Sequence, residues 1–99
     1  MIAIGSTDQV PEGTAREFEF SGRRVAVFAI EGSFYALDSR CPHRGGPLAQ
    51  GVIEGRTVTC PWHGWTFDLQ TGQRLNGAPS SIGCYRVLAT DGELMIELT

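Results

Sequence analysis

Four side chains able to bind a metal fall in two short loops. Cys41 and His43 are separated only by Pro42, and Cys60 and His63 are separated by Pro61 and Trp62. Each loop offers one thiol and one imidazole, and sixteen residues lie between His43 and Cys60. That donor set suits a soft or borderline metal. Two chemistries are open to it: a tetrahedral zinc site that staples a non-redox binding module, or an iron-sulfur centre. Zinc loops usually place two or more residues between paired ligands, so the single residue between Cys41 and His43 weighs toward iron.

The ordered set Cys41-Pro42-His43-Arg44-Gly45-Gly46-Pro47-Leu48 and Cys60-Pro61-Trp62-His63-Gly64-Trp65 resembles the Rieske family of [2Fe-2S] proteins. Their pattern is Cys-x-His, a spacer, then Cys-x-x-His, with two histidines in place of two cysteines on one of the two irons. The resemblance implies one such cluster, with Cys41 and Cys60 on the inner iron and His43 and His63 on the outer one. Charge counting gives this arrangement a consequence of its own. Two thiolates and two sulfides balance two ferric ions, so the oxidised centre is formally neutral and accepts an electron more readily than a four-cysteine cluster.

Glycines beside the histidines, Gly45, Gly46 and Gly64, allow backbone N–H groups close to sulfur or simply turn the chain. Pro42 and Pro61 stiffen the loops. Rieske subunits of quinol-oxidising membrane complexes carry an extra cysteine in each loop, joined as a disulfide. The corresponding positions here are Gly46 and Trp62, which cannot form it. The same branch places serine and tyrosine hydroxyls near the cluster where this chain has Trp65 and Phe67, neither of which carries an O–H donor. Fewer donors stabilise the added charge less, so the expected potential lies near the low end of the Rieske span, about −150 mV rather than about +300 mV.

The 99 residues, 41% hydrophobic, suffice for one domain with one modest core. Eleven acidic against eight basic residues give a formal charge of −3, which argues against nucleic acid as a partner. The first residues lack both a basic region and a long apolar run, so no signal peptide is expected, and no apolar stretch reaches membrane-spanning length. Three cysteines are an odd number, two of them claimed by the loops. A disulfide framework is therefore not expected, and the cytoplasm is the expected location. Cys84 reads as a small buried strand residue.

The elements that must position the loops are strands. Phe18 and Phe20 alternate with Glu17 and Glu19, and Ser21-Gly22 turns the chain into the apolar run 24–30. Glu31-Gly32 leads into 34–37, which delivers the chain to Cys41. Val52-Ile53 and 56–59 flank Glu54-Gly55 and end at Cys60, while Trp65, Phe67 and Leu69 alternate outward to a turn at Thr71-Gly72. Residues 75–81 read as loop, and Asn76-Gly77-Ala78-Pro79 resembles the proline-bearing loop that covers the cluster in the family. Strands 85–89 and 93–98 close the chain through Asp91-Gly92, with Leu94, Ile96 and Leu98 inward. The fold class is all-β, an antiparallel sandwich or barrel with no helix beyond a turn or two. The resemblance implies a β-sandwich spanning 1–99, with a cluster-binding subdomain inserted at roughly 39–79.

Function follows from the resemblance as an expectation. It implies a one-electron carrier, not itself an enzyme and with no catalytic residue. Such a protein takes electrons from a flavin-dependent NAD(P)H reductase and passes them to an oxygenase, docking near His43 and His63. Trp62 either packs across the loops or meets the partner, and Arg40 and Arg44 either form a basic docking rim or are simply solvated. Two redox alternatives share the motif. One is the small subunit of an NAD(P)H nitrite reductase, suggested by Phe67-Asp68-Leu69 and Thr71-Gly72. The other is the Rieske domain of an oxygenase terminal component; such components continue into a catalytic iron domain, whereas this sequence ends at Thr99, so the carrier is the expected reading.

Overall fold

The structure is a computed structural model, and it describes residues 2–40, 46–62 and 64–97. Three hairpins are dictated by their turn residues. Ser21-Gly22, Glu31-Gly32 and Asp91-Gly92 all hold positive φ, from 49° to 79°, the geometry of a two-residue turn whose twist matches that of the flanking strands. They join β2 (Ala15–Phe20) to β3 (Arg23–Ile30), β3 to β4 (Ser33–Asp38), and β8 (Cys84–Thr90) to β9 (Glu93–Glu97). With β1 (Ile2–Ser6) these form a six-stranded sheet in the order β1-β9-β8-β4-β3-β2.

Strands β4 and β8 meet through only two register pairs, Ala36 with Tyr85 and Leu37 with Cys84. Apolar side chains from both sides of that junction share one core, including Phe18, Val25, Val27, Val87, Leu94 and Ile96. At the far edges β1 comes so close to β2 that a Cβ on Gly5 would lie 2.5 Å from the Phe18 ring. Of the antiparallel sandwich or barrel that the strand pattern allows, the sandwich implied by the resemblance is observed. Strand β1 was not anticipated. It pairs with β9, and its register slips between Ala3 and Gly5.

Strand β3 is buried along all of Val25 to Ile30. Val25, Val27 and Ala29 face the sandwich core, whereas Ala26, Phe28 and Ile30 face a second cluster with Leu37, Leu48, Val58, Cys60, Phe67 and Leu69. A strand covered on both faces reads as a continuous apolar run. The second cluster lies beneath a three-stranded sheet of β5 (Val52–Glu54), β6 (Thr57–Thr59) and β7 (Thr66–Asp68). Its first turn is centred one residue later than expected, because Glu54 still pairs with Thr57 and Gly55 takes the positive φ. Strand β7 also stops early: Asp68 accepts from the Gln70 and Gly72 N–H groups and turns the chain. The inward role expected of Leu98 lies outside the described residues.

The β3–β4 turn carries a carboxylate clamp. Glu12 accepts the N–H of Glu31 at 2.6 Å and of Gly32 at 3.0 Å. The Gly32 and Glu31 amides hold its pKa below the ordinary 4.5. A lowered folded-state pKa means that the clamp stabilises fully above the ordinary value and is lost as pH falls through the lowered one. Glu12→Gln is therefore expected to lower the melting temperature at neutral pH. The gap from wild type should close on acidification below that value, as followed by circular dichroism; a gap that stays constant with pH would contradict the clamp.

Candidate metal centre

Strand β6 ends at Thr59 and hands the chain directly to Cys60. The small sheet then closes the second loop at its base: Thr59 and Thr66 pair in register and join hydroxyls at 3.0 Å, and the Cys60 N–H donates to the Trp65 carbonyl at 2.7 Å. Cys60 is 2% exposed. Its sulfur receives the Trp62 backbone N–H at 3.4 Å, a donor that favours negative charge on sulfur. Gly64 takes a φ of +72°, which a side chain would strain.

The first loop is closed at its base in the same manner. Leu48 N–H donates to the carbonyl of buried Ser39 at 3.0 Å, and Arg40 bridges to Pro47. Upstream, the Asp38 carboxylate accepts from the Gly83 N–H at 2.8 Å and the Tyr85 hydroxyl at 2.7 Å, tying the end of β4 to the start of β8. Burial and that carboxylate push the Tyr85 hydroxyl up, so it remains a donor. Arg40 lies 4.0 Å from Glu17, an ion pair within the chain. The rest of the proposed docking rim, Arg44, lies outside the described residues.

Of the four expected ligands the structure describes only Cys60; Cys41, His43 and His63 lie outside the described residues, as do Pro42 and Gly45. Among the described residues no three metal-ligating side chains converge. The described ends of the two loops nevertheless touch. A Cβ on Gly46 would lie 2.5 Å from the Cys60 sulfur and 3.2 Å from Cβ and Cγ of Trp62. The exit of the first loop is thus pressed bare against the cysteine of the second. Gly46 and Trp62 also occupy the positions that the quinol-oxidising branch joins by a disulfide, and here they stand in contact distance. A buried thiol at a strand end, a backbone donor to its sulfur, and a glycine that leaves room beside it fit an iron-sulfur centre.

Trp62 packs its base toward Gly46, as the packing alternative expects, while the residue stays 50% exposed. Leu75 is exposed to 52%. Cys84 corrects the sequence reading. It is exposed, because β8 turns Tyr85 and Val87 inward and Cys84 outward. Its thiol donates to the Gln70 carbonyl at 3.1 Å, and partial burial followed by Asp68 pushes its pKa up, so it has the character of a protonated thiol and not of a ligand.

Arg74 was not expected at the site, and Asn76 was expected there only as part of the loop 76–79, with no role of its own. Asn76 accepts the Thr66 N–H and donates to the Gly64 carbonyl, both at 2.9 Å. Arg74 lies over the Trp65 ring, 3.5 Å from its centroid. The available signal was an Asn-Gly pair, since asparagine favours side-chain bonds to nearby backbone.

Comparison with known proteins agrees with this geometry. The family described as Rieske [2Fe-2S] domain matches residues 1–86. The ferredoxin component of naphthalene 1,2-dioxygenase/salicylate 5-hydroxylase systems from Ralstonia sp. is 37% identical over 74 residues, covering 75% of this chain and 71% of that protein. The 3-phenylpropionate/cinnamic acid dioxygenase ferredoxin subunit of Photorhabdus laumondii is 33% identical over 100 residues, covering 99% and 94%. Among solved structures, a chain in the complex of reduced oxygenase and oxidized ferredoxin of carbazole 1,9a-dioxygenase superposes with a TM-score of 0.86 at 26% identity, covering 96% of this chain and 90% of that one. The iron-sulfur reading therefore prevails over the zinc one, and this chain belongs to the Rieske [2Fe-2S] domain family.

Proposed function

We propose that Cys41, His43, Cys60 and His63 hold one [2Fe-2S] cluster, and that the chain is a low-potential electron carrier. Its electrons come from a flavin-dependent NAD(P)H reductase and go to an oxygenase acting on aromatic or similar substrates. The observation that carries the ligand assignment is the closeness of Gly46 to the Cys60 sulfur, which joins the two loops that bear the four residues. The partner assignment is supported by relatives that are ferredoxin components of dioxygenase systems, and by the ferredoxin-oxygenase complex of carbazole 1,9a-dioxygenase.

When bound, the cluster supplies a one-electron couple. The chain's own residues hold it, shield it and set its potential. Cys60 belongs to an apolar cluster with Phe67, Leu48 and Val58, which excludes water from that side and penalises added negative charge. Against this stands the Trp62 N–H at the Cys60 sulfur. Phe67 and Trp65 add no hydroxyl. Trp62, half exposed beside the second ligand pair, offers an aromatic contact of the kind enriched at interfaces. Residues 39–79 act as the cluster-carrying unit, docking near His43 and His63.

Purified from iron- and sulfide-sufficient cells, the protein is expected to contain two irons and two acid-labile sulfides per chain. Gly46→Ala should greatly reduce that content, since the added methyl meets the Cys60 sulfur; full loading of the variant would count against the joined loops. Protein-film voltammetry should return a midpoint of about −150 mV, and a clearly positive value would defeat the donor argument. Trp62→Ala should keep the visible spectrum and slow electron delivery to an oxygenase in stopped-flow assays. A bleached variant would show that packing is its main role.

A further inference from the structure

Behind the second loop, residues 74–80 fold back over it. The Leu75 N–H donates to the Thr66 carbonyl at 2.8 Å, and the Thr66 N–H donates to the Asn76 side-chain oxygen. The asparagine amide thus takes the place of a backbone carbonyl in a strand that does not continue. Its other end donates to the carbonyl of Gly64, the residue directly after His63. One side chain therefore fixes backbone on both sides of Trp65.

Arg74 braces that asparagine. Its guanidinium lies on the Trp65 ring, with Nε 3.4 Å from the Asn76 oxygen and Nη1 3.5 Å from the Ala78 carbonyl. Gly77, at a φ of +89°, makes room: a Cβ there would lie 2.7 Å from Nη2 of Arg74. Aromatic ring, guanidinium and bare glycine backbone stack in sequence, and the asparagine is held at the edge of that stack.

We propose that Asn76, braced by Arg74, is a positioning residue for the iron-sulfur centre. Its amide fixes the carbonyl of Gly64, the residue that follows the proposed ligand His63 in the sequence. The inference rests on His63 being a ligand, as proposed above. A residue that only closed a surface loop would affect melting and nothing else. A positioning residue also governs how firmly the centre is held and its spectroscopic signature, because partners that orient ligands affect metal retention.

The test uses holoprotein with Asn76→Ala and Asn76→Asp. Aspartate keeps the acceptor for Thr66 and loses the donor to Gly64. Under an iron chelator, Asn76→Ala should lose visible absorbance about tenfold faster than wild type, with shifted g-values in the reduced state, and Asn76→Asp should fall between. Decay within about twofold of wild type together with unchanged g-values, in either variant that folds, would overturn the proposal even if melting dropped. Wild-type protein without iron and labile sulfide would refute the ligand assignment and this inference with it. Loaded wild type with unaltered variants would refute this inference alone.

Discussion

The structure turns on one close approach. A metal centre drawn from two loops needs those loops to meet, and they meet where Gly46 lies against the Cys60 sulfur with no space for a methyl group. The rest of the small subdomain serves that contact. The bond from Leu48 to Ser39 and the bridge from Arg40 to Pro47 pinch the first loop at its base. The β6–β7 pair and the bond from Cys60 to Trp65 do the same for the second. Each loop is held at its neck by backbone bonds, and the two necks share one apolar floor.

That floor is strand β3. Its two faces bury alternate residues in two different cores, one inside the sandwich and one under the small sheet that carries Cys60. Phe28, fully buried on the second face, contributes about 1.5–3 kcal/mol by burial alone. The consequence for a carrier is rigidity, since each core residue of β3 ties the site to the sandwich. Added charge at that site meets the Trp62 N–H at the Cys60 sulfur and apolar walls, surroundings of the kind that tune a cluster's potential.

Much of this was legible from residue types because the signals were local. Ser-Gly, Glu-Gly and Asp-Gly pairs announce turns that need positive φ, Phe18 and Phe20 alternate with glutamates, and the run 24–30 between two such turns reads as a strand, though its burial on both faces was visible only in the structure. What escaped depended on distant partners. Strand β1, with Gly5 and Ser6 and a register slip, becomes a strand only by pairing with β9 at the other end of the chain. Cys84 looked like core because it adjoins Tyr85, but the inward parity of β8 is fixed by Val87. The asparagine clasp joins side chain to backbone across ten and twelve residues, and no periodicity records it. At the site, the motif and its family resemblance named four candidate ligands, whereas contact between the loops could be seen only in three dimensions.

The central claim is that two cysteines and two histidines share one binuclear iron centre. Its most direct test is electron-nuclear double resonance on the dithionite-reduced protein labelled with nitrogen-15 in histidine only. The account predicts two strongly coupled histidine nitrogens, with both couplings lost when His43 and His63 are replaced together. A reduced centre with no histidine coupling, or a colourless protein that gives no paramagnetic signal on reduction, would contradict it.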